Sequence, residues 1–230
     1  MRVVLGLVLT SILSTSALLA PGVASAQTYA GYQLPPAEGL YERWDPRRSW
    51  GAQHTIEALQ QVANRVAFLL PLADPIFIGD ISRRGGGHLP PHRTHHLGID
   101  VDIGLFMGDG RQPLGGFMNL LPHELDVRST WVLLTALLDT GQVKFVLLDQ
   151  GHIQVLRKYA LEEVGLDEST VDELFPPPGS WVSWRRRGVV RHDPNHASHL
   201  HVRLSPEKFE DRYDAVEEDP FEGTTGAYGD

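Results

Sequence analysis

Two short segments, about a hundred residues apart, alternate strictly between apolar and ligand-type side chains. In "GIDVDIGLF" (98–106), Ile99, Val101 and Ile103 take one parity and Asp100 and Asp102 the other. In "SHLHVRL" (198–204), Leu200, Val202 and Leu204 alternate with His199, His201 and Arg203. Successive side chains of a β-strand point to opposite faces, so each segment has one core face and one polar face. If both strands join one sheet with their apolar sides on the core, acids and imidazoles share the opposite surface. That requirement limits the chain to folds with a sheet covered on one side and carrying a polar cluster on the other.

The remaining pattern supplies the cover. Ile56, Leu59, Val62, Val66, Leu69 and Leu70 recur at three- and four-residue steps, predicting a helix over 51–70 that Pro71 stops. "STWVLLTALLDTG" (129–141) predicts a second helix with Ser129 as N-cap and Gly141 at its end. "IQVLRKYALEEVG" (153–165) predicts a third, ending at Gly165. Strands are expected at "PIFIGDIS" (75–82) and "QVKFVLLD" (142–149), and an irregular arm over 27–50. Short strands and helices without a sustained βαβ rhythm indicate an α+β fold: a small, mostly antiparallel sheet with flanking helices.

The first residues are set apart from this domain. Arg2, an apolar stretch rich in small residues and the "ASA" before Gln27 fit a cleaved signal peptide over 1–26. The expected organisation is then a domain over 27–206 and an acidic, disordered tail over 207–230, with no stable membrane insertion after cleavage. An exported chain could form disulfides, but this one has no cysteine. Any metal site must therefore use histidine nitrogen and carboxylate oxygen. The formal charge of −9 argues against a nucleic-acid partner, which needs a basic face.

Eight of the eleven histidines fall in two groups: His88, His92, His95 and His96, then His192, His196, His199 and His201. His54, His123 and His152 lie apart and read as half-exposed surface residues. A catalytic zinc takes three protein ligands and leaves a fourth place for water, and His95, Asp102 and His201 would supply two imidazoles and one carboxylate. A further histidine near that water could move its proton, and others could bond an oxyanion or orient the ligands. "GGG" (85–87) lacks the lysine and helix start of a phosphate loop and reads as a tight or flexible turn. Arg83 and Arg84 could meet a carboxylate or simply be solvated, and "RRR" (185–187) reads as a surface run.

"GDISRRGGG", "HRTHHLGIDVDI" and "HASHLHVRL" together resemble the penicillin-insensitive murein endopeptidases, within the LAS metallopeptidases that share the hedgehog/DD-peptidase fold. The family pattern is a His with an Asp seven positions later, then a His-x-His whose second His binds zinc. His95, Asp102 and His199-Leu200-His201 fit it. The endopeptidase branch adds a His three before each motif, here His92 and His196. Relatives tend to carry Ser and Gln around the first ligand, where this chain has Thr94 and His96; His96 is an extra imidazole that could alter the pocket or compete for metal. The resemblance implies a periplasmic zinc D,D-endopeptidase that cuts the cross-link between D-Ala and meso-diaminopimelate in peptidoglycan. It implies His95, Asp102 and His201 as zinc ligands and His196 or His199 as general base, with a slight preference for His196. It places His92, Asp80 and Asp100 around substrate or ligands. A metal mechanism needs no active-site serine, which is how such enzymes escape penicillin.

Three other readings fit part of this pattern. A carboxypeptidase or dipeptidase trimming stem peptides would need a closed pocket with a cation. A non-catalytic zinc-containing binding module would be expected to lack the general base. A cupin-like iron protein would need a carboxylate a few residues after His-x-His, whereas the acids after His201 begin only at Glu207.

Overall fold

A computed structural model describes residues 30–113, 115–175 and 188–205. The expected signal peptide, the expected acidic tail over 207–230 and the arginine run at 185–187 lie outside them. The strands are β1 (Tyr32–Gln33), β2 (Tyr41–Arg43), β3 (Trp50–Gly51), β4 (Ile76–Ile78), β5 (Asp100–Gly104), β6 (Val143–Leu148), β7 (Val190–His192) and β8 (His199–Leu204). The helices are α1 (Gln53–Leu69), α2 (Val127–Leu138), α3 (Gln150–Glu162) and α4 (Glu168–Leu174). Six strands form the main sheet in the order β2-β4-β5-β8-β6-β7, and β1 pairs with β3 in a small separate one. The two outer pairs of the main sheet are parallel and the three inner pairs antiparallel. The fold is α+β, as expected.

The core lies on one side of this sheet. Ile76 and Ile78 of β4, Val101 and Ile103 of β5, and Leu200, Val202 and Leu204 of β8 join one buried cluster. Ile56, Leu59 and Val62 of α1 and Leu133, Leu134 and Leu137 of α2 complete it. The alternation in β5 and β8 therefore does what its period requires: one parity meets the helices and the other faces away from them. No helix among the described residues is long and apolar enough to cross a membrane.

Several element boundaries differ from the sequence expectation. The stretch over 27–50 is not only an irregular arm, because β2 adds to the sheet edge parallel to β4 and a 3₁₀ turn follows at Pro46–Arg48. Strand β4 ends at Ile78, and the next residues turn to bond the Arg48 carbonyl through the Ile81 and Ser82 amides. Asp126, not Ser129, caps α2; its carboxylate accepts from the Ser129 amide. Asp149 caps α3, which starts three residues before the apolar periodicity. In both cases the aspartate satisfies an amide that the first helical turn leaves free.

Candidate metal centre

The pairing of β5 with β8 builds the site. Asp102 lies directly opposite His201, Asp100 opposite Arg203 and Gly104 opposite His199. Cross-strand partners of this kind hold their side chains against one another on one face. His201 Nδ1 lies 3.0 Å from Asp102 Oδ1, and its Nε2 lies 3.1 Å from Asp100 Oδ1. The Arg203 guanidinium grips Asp100 with two bonds, 2.8 Å from Nε and 3.0 Å from Nη2. Asp100 and Asp102 are fully buried.

His95 reaches this pair from the glycine loop. Gly85, Gly86 and Gly87 all have positive φ, and a Cβ on Gly86 would lie 2.5 Å from the His96 carbonyl. Only glycine turns the chain there without strain or clash. The turn brings His95 under the strand end, where its Nδ1 donates to the Ile81 carbonyl at 3.0 Å. That bond leaves the Nε2 lone pair 3.2 Å from His201 Nδ1 and 3.3 Å from Asp102 Oδ1.

His95 Nε2, His201 Nδ1 and Asp102 Oδ1 thus form a triangle with edges of 3.0, 3.2 and 3.3 Å. Tetrahedral bonds of about 2.0–2.1 Å to a zinc ion would set ligand atoms about 3.3 Å apart. Asp102 Oδ2 is buried without a hydrogen-bond partner. A buried carboxylate oxygen left unpaired is costly, and a cation is one way to satisfy it. His92, half-buried, donates from Nε2 to Asp80 at 2.7 Å and turns Nδ1 toward that orphaned oxygen at 3.6 Å. His92, His95 and Asp102 by themselves also bring ligand atoms within 4.8 Å of one another. The donor set is nitrogen and carboxylate oxygen throughout. These residues fit a divalent metal ion, with His95 and Asp102 common to both possible ligand triads.

Burial and charge set the protonation states. Burial pushes the Asp102 carboxyl up, but the hydrogen bond from His201, with the His95 and His199 imidazoles close by, outweighs it and holds the pKa well below the usual range. Asp100 is lowered in the same way, with burial overcome by His201 and Arg203. Burial pushes His199 down to about 4, with Asp102 opposing only in part. For His201 burial also acts downward, but the bonds to Asp100 and Asp102 raise it to about 9. The folded metal-free protein thus holds a His201 proton more tightly than the unfolded chain does, whose histidines titrate near ~6.5. This contribution is complete below the unfolded value and is lost as pH rises through about 9. Tm of chelator-treated protein should fall across that window, and a flat or rising Tm would contradict the arrangement. Loading the metal must expel the same proton.

His199 and His196 flank the triad. His199 Nε2 lies 3.5 Å from Asp102 Oδ1, its Nδ1 is 2.9 Å from the Ser198 hydroxyl, and Phe117 stacks on the ring. His196 Nδ1 lies 2.8 Å from Asp193 Oδ1, and its ring centroid is 4.9 Å from that of His199. The close approach of the His196 ring, the largest influence on it, holds Asp193 down to about 2. Asp80 is buried and held by Arg48 through bonds of 2.6 Å to each carboxylate oxygen.

Some histidines stay out of the centre. His88 and His96 are exposed, and the His96 ring bonds the Arg93 carbonyl at 3.2 Å, so it does not compete for the metal position. His152 is fully buried on α3, against the expectation of a surface residue; His54 is half-buried and His123 exposed. Arg83 bonds the Gly86 carbonyl and Arg84 lies over Trp50. Arg48, Arg203, Asp193 and Phe117 were not expected at the site. Arg203 alone carried a sequence signal, since it shares the face of His201 two residues on.

A family model described as penicillin-insensitive murein endopeptidase matches residues 24–161, more than half of the chain. The match spans Asp80, His92, His95, Asp100 and Asp102 and stops before the second histidine group. No curated protein matches the chain. The matched span and a histidine–aspartate cluster fit for a metal ion lead to one assignment: the chain belongs to the penicillin-insensitive murein endopeptidase family, hydrolases that act on peptidoglycan.

Proposed function

We propose that this protein is an exported, zinc-dependent D,D-endopeptidase that hydrolyses the D-Ala–meso-diaminopimelate cross-link of periplasmic peptidoglycan. The observation that carries the reading is the buried triangle of His95 Nε2, His201 Nδ1 and Asp102 Oδ1 beside an unpaired Asp102 Oδ2. His95, His201 and Asp102 would hold the ion. When bound, zinc supplies Lewis-acid polarisation of the scissile carbonyl and a lowered pKa for water.

The chain's own groups divide the remaining work. His95 keeps its Nε2 lone pair free because Nδ1 is tied to the Ile81 carbonyl. Asp100, itself fixed by Arg203, orients His201 through Nε2, the carboxylate–histidine arrangement that raises ligand basicity. His196 is the general base in this reading. The Asp193 carboxylate beside Nδ1 leaves Nε2 to take the water proton and return it to the leaving amine. His199 has a hydroxyl rather than a carboxylate partner at Nδ1. With Ser198 donating to Nδ1, its Nε2–H faces the triad and can donate to a developing oxyanion.

Digestion of purified cross-linked and uncross-linked muropeptides, read by mass spectrometry, tests the bond assignment. The expected products are monomers from cross-linked dimers, with uncross-linked stems left intact. Loss of terminal D-Ala from uncross-linked stems, with dimers left whole, would instead establish a carboxypeptidase.

A further inference from the structure

We infer that Arg48 is a positioning residue for His92, acting through Asp80, and so sets which ring nitrogen His92 presents to the metal centre. Arg48 sits at the end of the 3₁₀ turn Pro46–Arg48, far in sequence from both histidine groups. Its Nε and Nη2 bond the two oxygens of Asp80 at 2.6 Å each, and Nη2 also bonds the Pro90 carbonyl at 2.7 Å. The fork fixes the plane of the buried Asp80 carboxylate, a bidentate geometry that lysine cannot reproduce. Asp80 Oδ2 in turn accepts from His92 Nε2 at 2.7 Å. A proton held at Nε2 leaves the Nδ1 lone pair facing Asp102 Oδ2, 3.6 Å away.

The bond to Pro90 ties the same guanidinium to the chain two residues before His92, so the fork sets both the ring and its backbone approach. The Arg48 carbonyl separately accepts from the Ile81 amide, and the Ile81 carbonyl accepts from His95. A side-chain substitution removes the link to His92 and leaves that backbone link to His95 in place. Arg48 thereby acts on one histidine of the centre without disturbing the other.

The inference rests on the proposed zinc reading for its activity readout but has a readout of its own. The imidazole ¹⁵N spectrum of metal-free protein should show His92 with its proton on Nε2, and R48Q should disperse that signal between tautomers. In zinc-loaded protein, R48Q should lower kcat for cross-link cleavage about 10-fold or more, the range seen for groups that orient a metal site. In the H92A background, adding R48Q should change kcat less than about twofold, as expected when both act through one contact. R48K keeps the charge without the fork and serves if R48Q does not fold; it should give the same tautomer change. Equal loss from R48Q in both backgrounds, or an unchanged His92 spectrum, would overturn the inference. An inactive parent protein would count against the enzyme reading, while the ring spectrum would still decide the role of Arg48.

Discussion

Asp102→Asn is expected to abolish tight metal binding and lower kcat/KM by roughly 10³-fold or more. Asp102 is the residue on which the centre converges: Oδ1 lies 3.0 Å from His201, 3.3 Å from His95 and 3.5 Å from His199. The amide keeps the shape and removes the charge, so the buried His95 and His201 and the half-buried His199 would face a neutral group. A bound metal contributes several kcal/mol of transition-state charge stabilisation, and each ~1.4 kcal/mol is tenfold in rate. Metal content after dialysis and kcat/KM on cross-linked dimers are the two measurements. A variant that retains stoichiometric metal and more than about a tenth of the activity would show that Asp102 is not a ligand.

The second large effect is on stability. Arg203 makes the paired bonds to Asp100 at 2.8 and 3.0 Å and lies over the Phe145 ring. Arg203→Met would leave a fully buried carboxylate with the bond to His201 but without its cationic fork. Breaking a buried ion pair from one side costs about 3–5 kcal/mol. For a domain of this size that lowers Tm by about 10 °C. Replacing both partners, Asp100→Leu with Arg203→Met, removes the stranded charge and should recover most of the Tm. The double variant should still bind metal about 10- to 100-fold more weakly, because His201 has lost the group that orients it. A single variant that melts within about 2 °C of the parent would contradict this account of the pair.

The two variants probe what the sequence displays unequally. Alternation in 98–106 and 198–204 is a local property, so the division of β5 and β8 into core and polar faces could be read directly. Their register could not. That Asp102 pairs with His201 rather than with a neighbour is fixed by packing of the helices and by β4 and β6 on either side. A one-residue slip would have put the same histidines into the core. The role of Arg203 was half visible, from its parity. That of Arg48 was not visible, because the chain must fold before a residue of the N-terminal turn can meet Asp80. The helices α2 and α3 start before the expected residues for a physical reason: apolar periodicity marks the buried face, whereas the first turn is fixed by a capping carboxylate, here Asp126 and Asp149. Strand β2 is three residues long, too short to show a period. His96 carried a misleading signal, since adjacency in sequence to His95 placed it on the exposed side of the same turn.

In the proposed mechanism His95, Asp102 and His201 hold a catalytic zinc ion. The most direct test measures metal content and cross-link cleavage together, in the parent protein and in His201→Ala, before and after chelation. The parent should carry about one zinc per chain, lose cleavage on chelation and regain it when zinc is returned, while His201→Ala neither retains zinc nor cleaves. Cleavage that survives both chelation and His201→Ala would contradict the account.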